Sequence, residues 1–119
     1  MDELAKLHCS PIGANTPRFN KQAVLDLVAQ LPDWRTYEED AELRLEKVFE
    51  FDDFRKALAF TNRIAQVANE EDHHPALLTE WGKVTVTWWT HKINGLHQND
   101  FIMAAKTSKI YGDEYGHDK

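Results

Sequence analysis

The sequence predicts a single α+β domain, built from a four-stranded antiparallel sheet with three helices packed on one face. Its 119 residues are enough for one hydrophobic core but too few for two, and 42% hydrophobic residues beside 29% charged ones is a normal globular balance. Some segments repeat apolar residues every three or four positions, and others alternate apolar with polar residues. The resulting order is helix, two strands, helix, two strands, helix. Each strand pair reads as a hairpin, which makes the sheet mainly antiparallel.

The helices are predicted from apolar periodicity over residues 20–31, 52–69 and 99–110. Asn20 is a suitable N-cap for the first helix, and Asp52 or Asp53 for the second, because their side chains accept hydrogen bonds from the first turn. The second helix carries more apolar residues than one buried face requires, so we expect it to contact more than one surface.

The strands are predicted over residues 34–38, 42–49, 76–80 and 83–90. Glu39-Asp40 suits the turn of the first hairpin, and Trp81-Gly82 the turn of the second, where glycine permits a tight connection. In the last strand Val84, Val86 and Trp88 should share one face.

The chain divides into three parts on this interpretation. Residues 1–18 are interrupted by Pro11, Gly13 and Pro17 and are expected to form a loosely attached arm. The single domain spans residues 19–112, and residues 113–119 form a polar tail.

Composition argues against several classes of partner. The net charge is −6 and the 14 basic residues are scattered, whereas a nucleic-acid interface needs a basic face. No apolar run reaches the roughly 20 residues that span a bilayer. The first ten residues lack the layout of a secretion signal, and the single cysteine, Cys9, suits a reducing compartment. We therefore expect a cytoplasmic protein that binds neither nucleic acid nor membrane.

A histidine cluster carries the strongest chemical signal. His73-His74-Pro75 precedes the third strand, and His91 follows the fourth, so a tight hairpin brings the three imidazoles together at one edge of the sheet. Histidine donates and accepts protons near neutral pH, and such a group supplies both an acid and a base. Two other interpretations stay open on spacing alone: a solvated loop, and a zinc site with three histidine ligands.

The same residues resemble a known family. His73-His74-Pro75, Trp81, His91 and Asp100, in this order, are similar to the motif of the pterin-4a-carbinolamine dehydratases, and the resemblance extends over about residues 20–110. It implies the fold described above and dehydration of a 4a-hydroxytetrahydropterin to the quinonoid dihydropterin, without a metal or organic cofactor. The product would be reduced to regenerate the cofactor of aromatic amino-acid hydroxylases, phenylalanine hydroxylase above all.

The resemblance also implies roles for single residues. His73 and His74 would be the acids, one for each stereoisomer of the carbinolamine, and His91 the base. Asp100 would bind substrate, although an aspartate at the start of a helix serves equally well as a cap. Trp34 would stack on the pterin in the binding pocket.

Three further positions carry expectations. Asn69 stands where the family often has an acidic residue, and Glu70 is expected to substitute for it in substrate binding. Trp81 is expected to pack at the hairpin. Cys9 lacks the second cysteine that follows it in some bacterial members, so we expect no metal or redox role for its thiol.

Two alternatives to the enzyme remain from sequence. Animal relatives of the family stabilise dimers of a homeodomain transcription factor, so the chain could be a non-catalytic pterin-binding or interaction module. The second alternative is a zinc-dependent hydrolase. A homodimer or homotetramer is expected, because the second helix has more apolar surface than one sheet can bury.

Overall fold

A four-stranded antiparallel sheet lies at the centre of the fold, which confirms the predicted α+β class. The computed structural model describes residues 2–13 and 15–115. Its elements are α1 (Asp2–Lys6), α2 (Lys21–Val28), β1 (Arg35–Glu39), β2 (Glu42–Glu50), α3 (Phe54–Glu71), β3 (Ala76–Glu80), β4 (Lys83–Trp88), a 3₁₀ turn (His91–Ile93), α4 (Gln98–Ile110) and a π-helical turn (Tyr111–Tyr115). The strand order is β1–β2–β4–β3, so the second strand of each hairpin is central.

The two hairpins close in different ways. Asp40 and Ala41 both have positive φ, at 53° and 64°, which gives the two-residue turn whose twist matches the strands. Gly82 has no positive φ. Instead its carbonyl accepts the Phe51 N–H at 2.8 Å, and a Cβ at Gly82 would lie 3.3 Å from the Phe51 oxygen. The second hairpin turns where predicted, but its glycine is required for this close backbone contact.

The core lies between one face of the sheet and the helices. Val84, Val86 and Trp88 of β4 are fully buried on this face, as their alternation predicts. Phe60 and Ile64 are fully buried on the facing side of α3, four residues apart on one helical face. Burial of these apolar side chains is the main favourable term in folding and holds α3 against the sheet.

Helices α2 and α3 begin directly after the N-cap residues that the sequence predicts. The Asn20 side chain accepts the Ala23 N–H at the start of α2, and the Asp53 side chain accepts the Lys56 N–H at the start of α3. Because the first backbone N–H groups of a helix have no partner within it, each bond stabilises its helix by about 1 kcal/mol.

The N-terminal arm is not loosely attached, contrary to expectation. Residues 2–6 form α1, which packs against α4 with Leu4 and Ala5 buried. The Lys106 ammonium donates to the Ala5 carbonyl at 2.8 Å, at the end of this short helix. A helix of 5 residues is too short to show a periodic pattern, which explains why the sequence did not reveal it.

The C-terminal end of the described chain is also structured. α4 continues directly into the π-helical turn, where Tyr111 is buried and its hydroxyl donates to the Glu50 carbonyl at 2.9 Å. Residues 113–115 of the expected polar tail therefore belong to this turn, and residues 116–119 lie outside the described residues. The domain boundaries at 19 and 112 stay a prediction.

No helix within the described ranges has both the length and the apolar composition needed to cross a membrane.

The packing of α1 generates a first prediction. Leu4→Ala should lower the free energy of unfolding by about 2 kcal/mol, because it leaves a cavity between α1 and α4. Leu7→Ala is the matched control, since Leu7 is 43% exposed and its truncation should change stability by less than about 0.5 kcal/mol. Urea unfolding followed by circular dichroism measures both. Equal, small effects would mean that the arm is loosely attached.

Candidate active site

One pocket of about 540 Å³ collects the three predicted histidines. It lies beyond the ends of β3 and β4, on the side opposite their hairpin turn. Its walls are formed by Cys9, Ser10, Pro11, Ile12, Glu71, Asp72, His73, His74, Trp89, Thr90, His91 and Lys92. The convergence expected from the hairpin geometry is therefore present.

Strand pairing explains how the histidines come together. Ala76 pairs with Thr87, and continuing this antiparallel register by three residues places His73 opposite Thr90. Asp72 has a positive φ of 54° and ends α3, which turns the chain from the helix toward β3. On the other side β4 ends at Trp88, two residues earlier than predicted, and His91 begins the 3₁₀ turn.

Asp100 is the buried centre of the site. One of its carboxylate oxygens accepts from His73 Nε2 at 2.6 Å. The other accepts from the Thr90 hydroxyl at 2.8 Å and from the His97 backbone N–H at 3.0 Å. The Thr90 hydroxyl and the His97 N–H donate to this carboxylate, and the His73 ring does so in the tautomer that carries its proton on Nε2.

Asp100 also belongs to the cap of α4. His97 is the N-cap, and Asp100, three residues later, closes a capping box by accepting the N-cap N–H. The two interpretations of Asp100 thus combine, since it both caps the helix and orients a histidine. The side chain is fully buried and does not line the pocket, so it has no surface with which to contact a bound molecule.

His73 is held on two sides. Besides the bond to Asp100, its ring lies parallel to that of Trp88, with centroids 5.9 Å apart and planes 9° apart. With Nε2 given to Asp100, Nδ1 is the ring atom left to exchange a proton in the pocket.

His74 contacts the end of α3. Its Nε2 lies 3.0 Å from Asn69 Oδ1, an acceptor, so the ring carries its proton on Nε2. Asn69 therefore orients His74. Glu70 is exposed and does not line the pocket, so the structure does not support its expected role.

His91 is set by an aromatic neighbour on the face of the sheet away from the helices. The Trp89 indole N–H donates to His91 Nδ1 at 3.0 Å, and the two rings meet edge to face with centroids 4.5 Å apart. An indole N–H only donates, so the neutral His91 ring carries its proton on Nε2. The Arg44 guanidinium lies 4.2 Å from the centre of the Trp89 ring and is paired with Glu39 and Glu42, which fixes the indole.

Glu71 is the pocket residue that the sequence did not reveal. Its carboxylate accepts the Cys9 N–H at 2.8 Å and lies 2.7 Å from His8 Nδ1. Burial alone would raise the pKa of Glu71, but the hydrogen bonds from Cys9 and His8 outweigh it and hold the pKa below its ordinary value. These partners lie more than 60 residues away in sequence, so no local pattern could have indicated them.

Cys9 contributes a neutral thiol to the wall. Burial, together with the Glu71 and Asp100 carboxylates, raises the pKa of Cys9 to about 12. The sulfur is therefore protonated at neutral pH, and the nucleophilic thiolate is not populated.

Two tryptophans differ from expectation. Trp34 is buried in the core, edge to face with Phe49, and its indole N–H donates to the Ser108 hydroxyl at 2.8 Å. It does not line the pocket, so it is not in position to stack on a substrate. Trp81, expected to pack at the hairpin, is 70% exposed.

The histidines do not form a metal centre in this geometry. Within residues 2–13 and 15–115, no group of three or more His, Cys, Asp or Glu side chains is arranged to hold a metal ion. The zinc interpretation of the cluster therefore gains no support from the arrangement.

Comparison with known proteins identifies a matching family and similar structures. The family model described as pterin 4 alpha carbinolamine dehydratase matches residues 17–110. A transcriptional coactivator/pterin dehydratase from Brucella melitensis is 30% identical, with a TM-score of 0.71 over 79% of this chain and 98% of that chain. A pterin dehydratase-like protein identified as a RuBisCO assembly factor in the alpha-carboxysome is 21% identical, with a TM-score of 0.57 over 67% of this chain and 90% of that chain. At this lower identity the likeness shows the fold alone.

The three donors on Asp100 generate a second prediction. Asp100→Asn should lower the free energy of unfolding by about 2–3 kcal/mol, because the amide nitrogen cannot accept a hydrogen bond and a buried donor loses its partner. Thr90→Val, which removes one donor and leaves the carboxylate bonded to His73, should cost about 1 kcal/mol. Denaturant unfolding at pH 7 measures both. If the two variants are equally stable, the carboxylate is not the centre of this network.

The N-cap of α4 leads to a third prediction, which concerns the pH dependence of stability. Burial lowers the pKa of His97 below 6.5, although Asp100 acts in the opposite direction. As the pH falls through 6.5, the unfolded chain takes up a proton that the folded chain resists, so stability is lost toward acid.

The test of that prediction is His97→Asn, which keeps a capping side chain that does not titrate. The drop in melting temperature between pH 7.5 and pH 5.5, measured by calorimetry, should be smaller in this variant. Equal drops in both proteins would show that His97 does not contribute to the acid sensitivity.

Proposed function

The chain belongs to the pterin 4 alpha carbinolamine dehydratase family, and on this premise we propose that it dehydrates a 4a-hydroxytetrahydropterin to the quinonoid dihydropterin. One observation carries the proposal: His73, His74 and His91 line one pocket, and His73 is bonded to a buried carboxylate. In the reaction the C4a–O bond breaks, the hydroxyl leaves as water with a proton from an acid, and a base removes the N5 proton. The electron pair of the N5–H bond forms the new double bond to C4a.

His73 is the acid in this proposal. Asp100 holds Nε2 of the ring at 2.6 Å, so a doubly protonated His73 has Nδ1 left as the atom that can donate in the pocket. The proton that reaches the leaving hydroxyl then comes from Nδ1. Water departs from carbon far more readily than hydroxide, which is why an acid next to the C4a oxygen lowers the barrier.

The hydrogen bonds favour a different base from the one the sequence suggested. The Trp89 indole N–H donates to Nδ1 of His91, so the neutral ring carries its proton on Nε2. This Nε2–H can donate a hydrogen bond to the substrate. His74 gives its Nε2–H to Asn69 and presents a basic Nδ1. We therefore assign His74 as the base for the N5 proton and His91 as a donor that orients the pterin.

The dimensions and composition of the pocket suit the substrate. About 540 Å³ is within the range of small-molecule sites, and the mixture of imidazoles with apolar walls suits a flat, polar heterocycle. The chemistry uses the side chains of the pocket and calls for no metal or organic cofactor.

The wider role follows from the product. A quinonoid dihydropterin is reduced to a tetrahydropterin, so the reaction would recycle the cofactor of aromatic amino-acid hydroxylases such as phenylalanine hydroxylase. A cytoplasmic location, with neither nucleic acid nor membrane as a partner, is part of the same proposal.

A homodimer or homotetramer also belongs to the proposal. Leu78 on the edge strand β3 is 58% exposed, and Phe54 and Leu58 on α3 are exposed as well. Edge strands and exposed apolar helix faces are typical of surfaces that pair with a second copy.

An interaction module is the alternative. It is favoured by the names of the two similar structures, of which one is a coactivator/pterin dehydratase and the other an assembly factor. Such a module would bind pterin or a partner without accelerating the dehydration.

The test follows the decay of a freshly generated 4a-hydroxytetrahydropterin by ultraviolet absorbance. Wild-type protein should accelerate the decay, and His73→Ala and His74→Ala should each lower kcat by about 100-fold or more, the usual size of an acid or base contribution. His91→Ala should raise KM more than it lowers kcat, because it removes a binding hydrogen bond.

His97→Asn is the matched histidine control, since His97 does not line the pocket, and its kcat should stay near wild type. Protein treated with a chelator should keep full activity. Decay no faster than in buffer would reject the enzyme and favour the interaction module, and activity lost on chelation would point to zinc.

A further inference from the structure

The N-terminal segment forms one wall of the active-site pocket. Cys9, Ser10, Pro11 and Ile12 line the pocket together with the histidines. The family model matches residues 17–110, so this wall precedes the matched residues. The proposed reaction uses His73, His74 and His91 and gives this wall no role.

The segment is anchored by residues that are neighbours of the catalytic groups. The Asn99 amide, buried beside Asp100, accepts the Ser10 N–H at 2.9 Å and donates to the Ser10 carbonyl at 2.8 Å. The Lys92 ammonium, beside His91, donates to the Ile12 carbonyl at 3.3 Å.

The third anchor is Glu71, at the end of α3 and two residues before His73. Its side chain is only 11% exposed and accepts the Cys9 N–H. Each anchor is within two residues of a group that faces or supports the pocket. The same elements of the fold therefore position both the wall and the histidines.

The anchors use the backbone of the segment and leave its side chains to the pocket. Pro11 and Ile12 have no side-chain polar groups, and the Cys9 thiol is protonated, so these three side chains give this wall an uncharged, largely apolar surface beside the Ser10 hydroxyl. The imidazoles, Lys92, the Thr90 hydroxyl and the carboxylates of Glu71 and Asp72 supply the polar groups of the other walls. An apolar wall facing polar groups suits a flat ring that is hydrogen-bonded on its edge and packed on its face.

We propose that Pro11 and Ile12 contact the bound pterin and act as specificity-determining residues, so that they contribute to KM while His73 and His74 set kcat. This inference rests on the proposed dehydratase function for its substrate.

The experiment compares Ile12→Ala with Leu7→Ala in the full chain. Both remove the same kind of aliphatic side chain from the same segment, but Leu7 does not line the pocket. Ile12→Ala should raise KM about fivefold or more with kcat within about twofold of wild type, because losing a contact that is equally strong in the ground state and the transition state raises KM alone. Leu7→Ala should leave both constants unchanged.

A binding measurement separates this inference from the proposed function. Calorimetric titration with 7,8-dihydrobiopterin, which does not react, should give a Kd at least about fivefold weaker for Ile12→Ala than for wild type. If wild type binds this pterin but does not turn over the carbinolamine, the dehydratase proposal fails while the Kd ratio still tests the wall.

Two results would overturn the inference. One is an Ile12→Ala variant whose KM and Kd both stay within twofold of wild type. The other is an equal fall in kcat for Ile12→Ala and Leu7→Ala, which would mean that the segment supports the fold without contacting the ligand. Absence of pterin binding by wild type would overturn both proposals together.

Discussion

The rest of the site depends on the hydrogen bonds at the Asp100 carboxylate. It is fully buried and accepts from a histidine of the segment before β3, a threonine after β4 and the backbone at the start of α4. A buried carboxylate is costly unless donors satisfy it, and here the three donors come from three separate parts of the chain. Their positions are therefore fixed relative to one another. Fold stability and the orientation of His73 come from one network, and no change at Asp100 can alter one without the other.

Each histidine of the pocket has one ring nitrogen bound by a neighbour. His73 is bound to Asp100, His74 to Asn69 and His91 to Trp89. A neighbour that accepts leaves a basic nitrogen in the pocket, and a neighbour that donates leaves an N–H there. His73 and His74 therefore both present Nδ1 to the pocket, whereas His91 presents an N–H. The proposed division into acid and base rests on the further difference that His73 is bonded to a carboxylate and His74 to an amide.

The sequence predicted the elements of the fold well and the partners of the site poorly, for a physical reason. Apolar periodicity and caps such as Asn20 and Asp53 are local signals, and the helices and strands they indicate are present. The convergence of the histidines followed from hairpin pairing, which is also short-range. Glu71 and the N-terminal wall depend on contacts across more than 60 residues, and Trp34 depends on a hydroxyl 74 residues away. Spacing within a segment carries no information about such contacts. The sequence pattern therefore indicates Glu70, whereas Glu71 is the residue that lines the pocket.

The arrangement also shows why the fold alone does not decide between an enzyme and an interaction module. The core is built from one face of the sheet, with Val84, Val86 and Trp88 against the helices. Trp89 and Arg44 lie on the opposite face, where the guanidinium stacks on the indole and the indole meets the His91 ring edge to face. A likeness at 21% identity shows this scaffold alone, and one scaffold can carry different functions. In this chain His73, His74 and His91 line one pocket and His73 is bonded to the buried Asp100 carboxylate, and this local arrangement, rather than the shared fold, supports the proposed catalytic function.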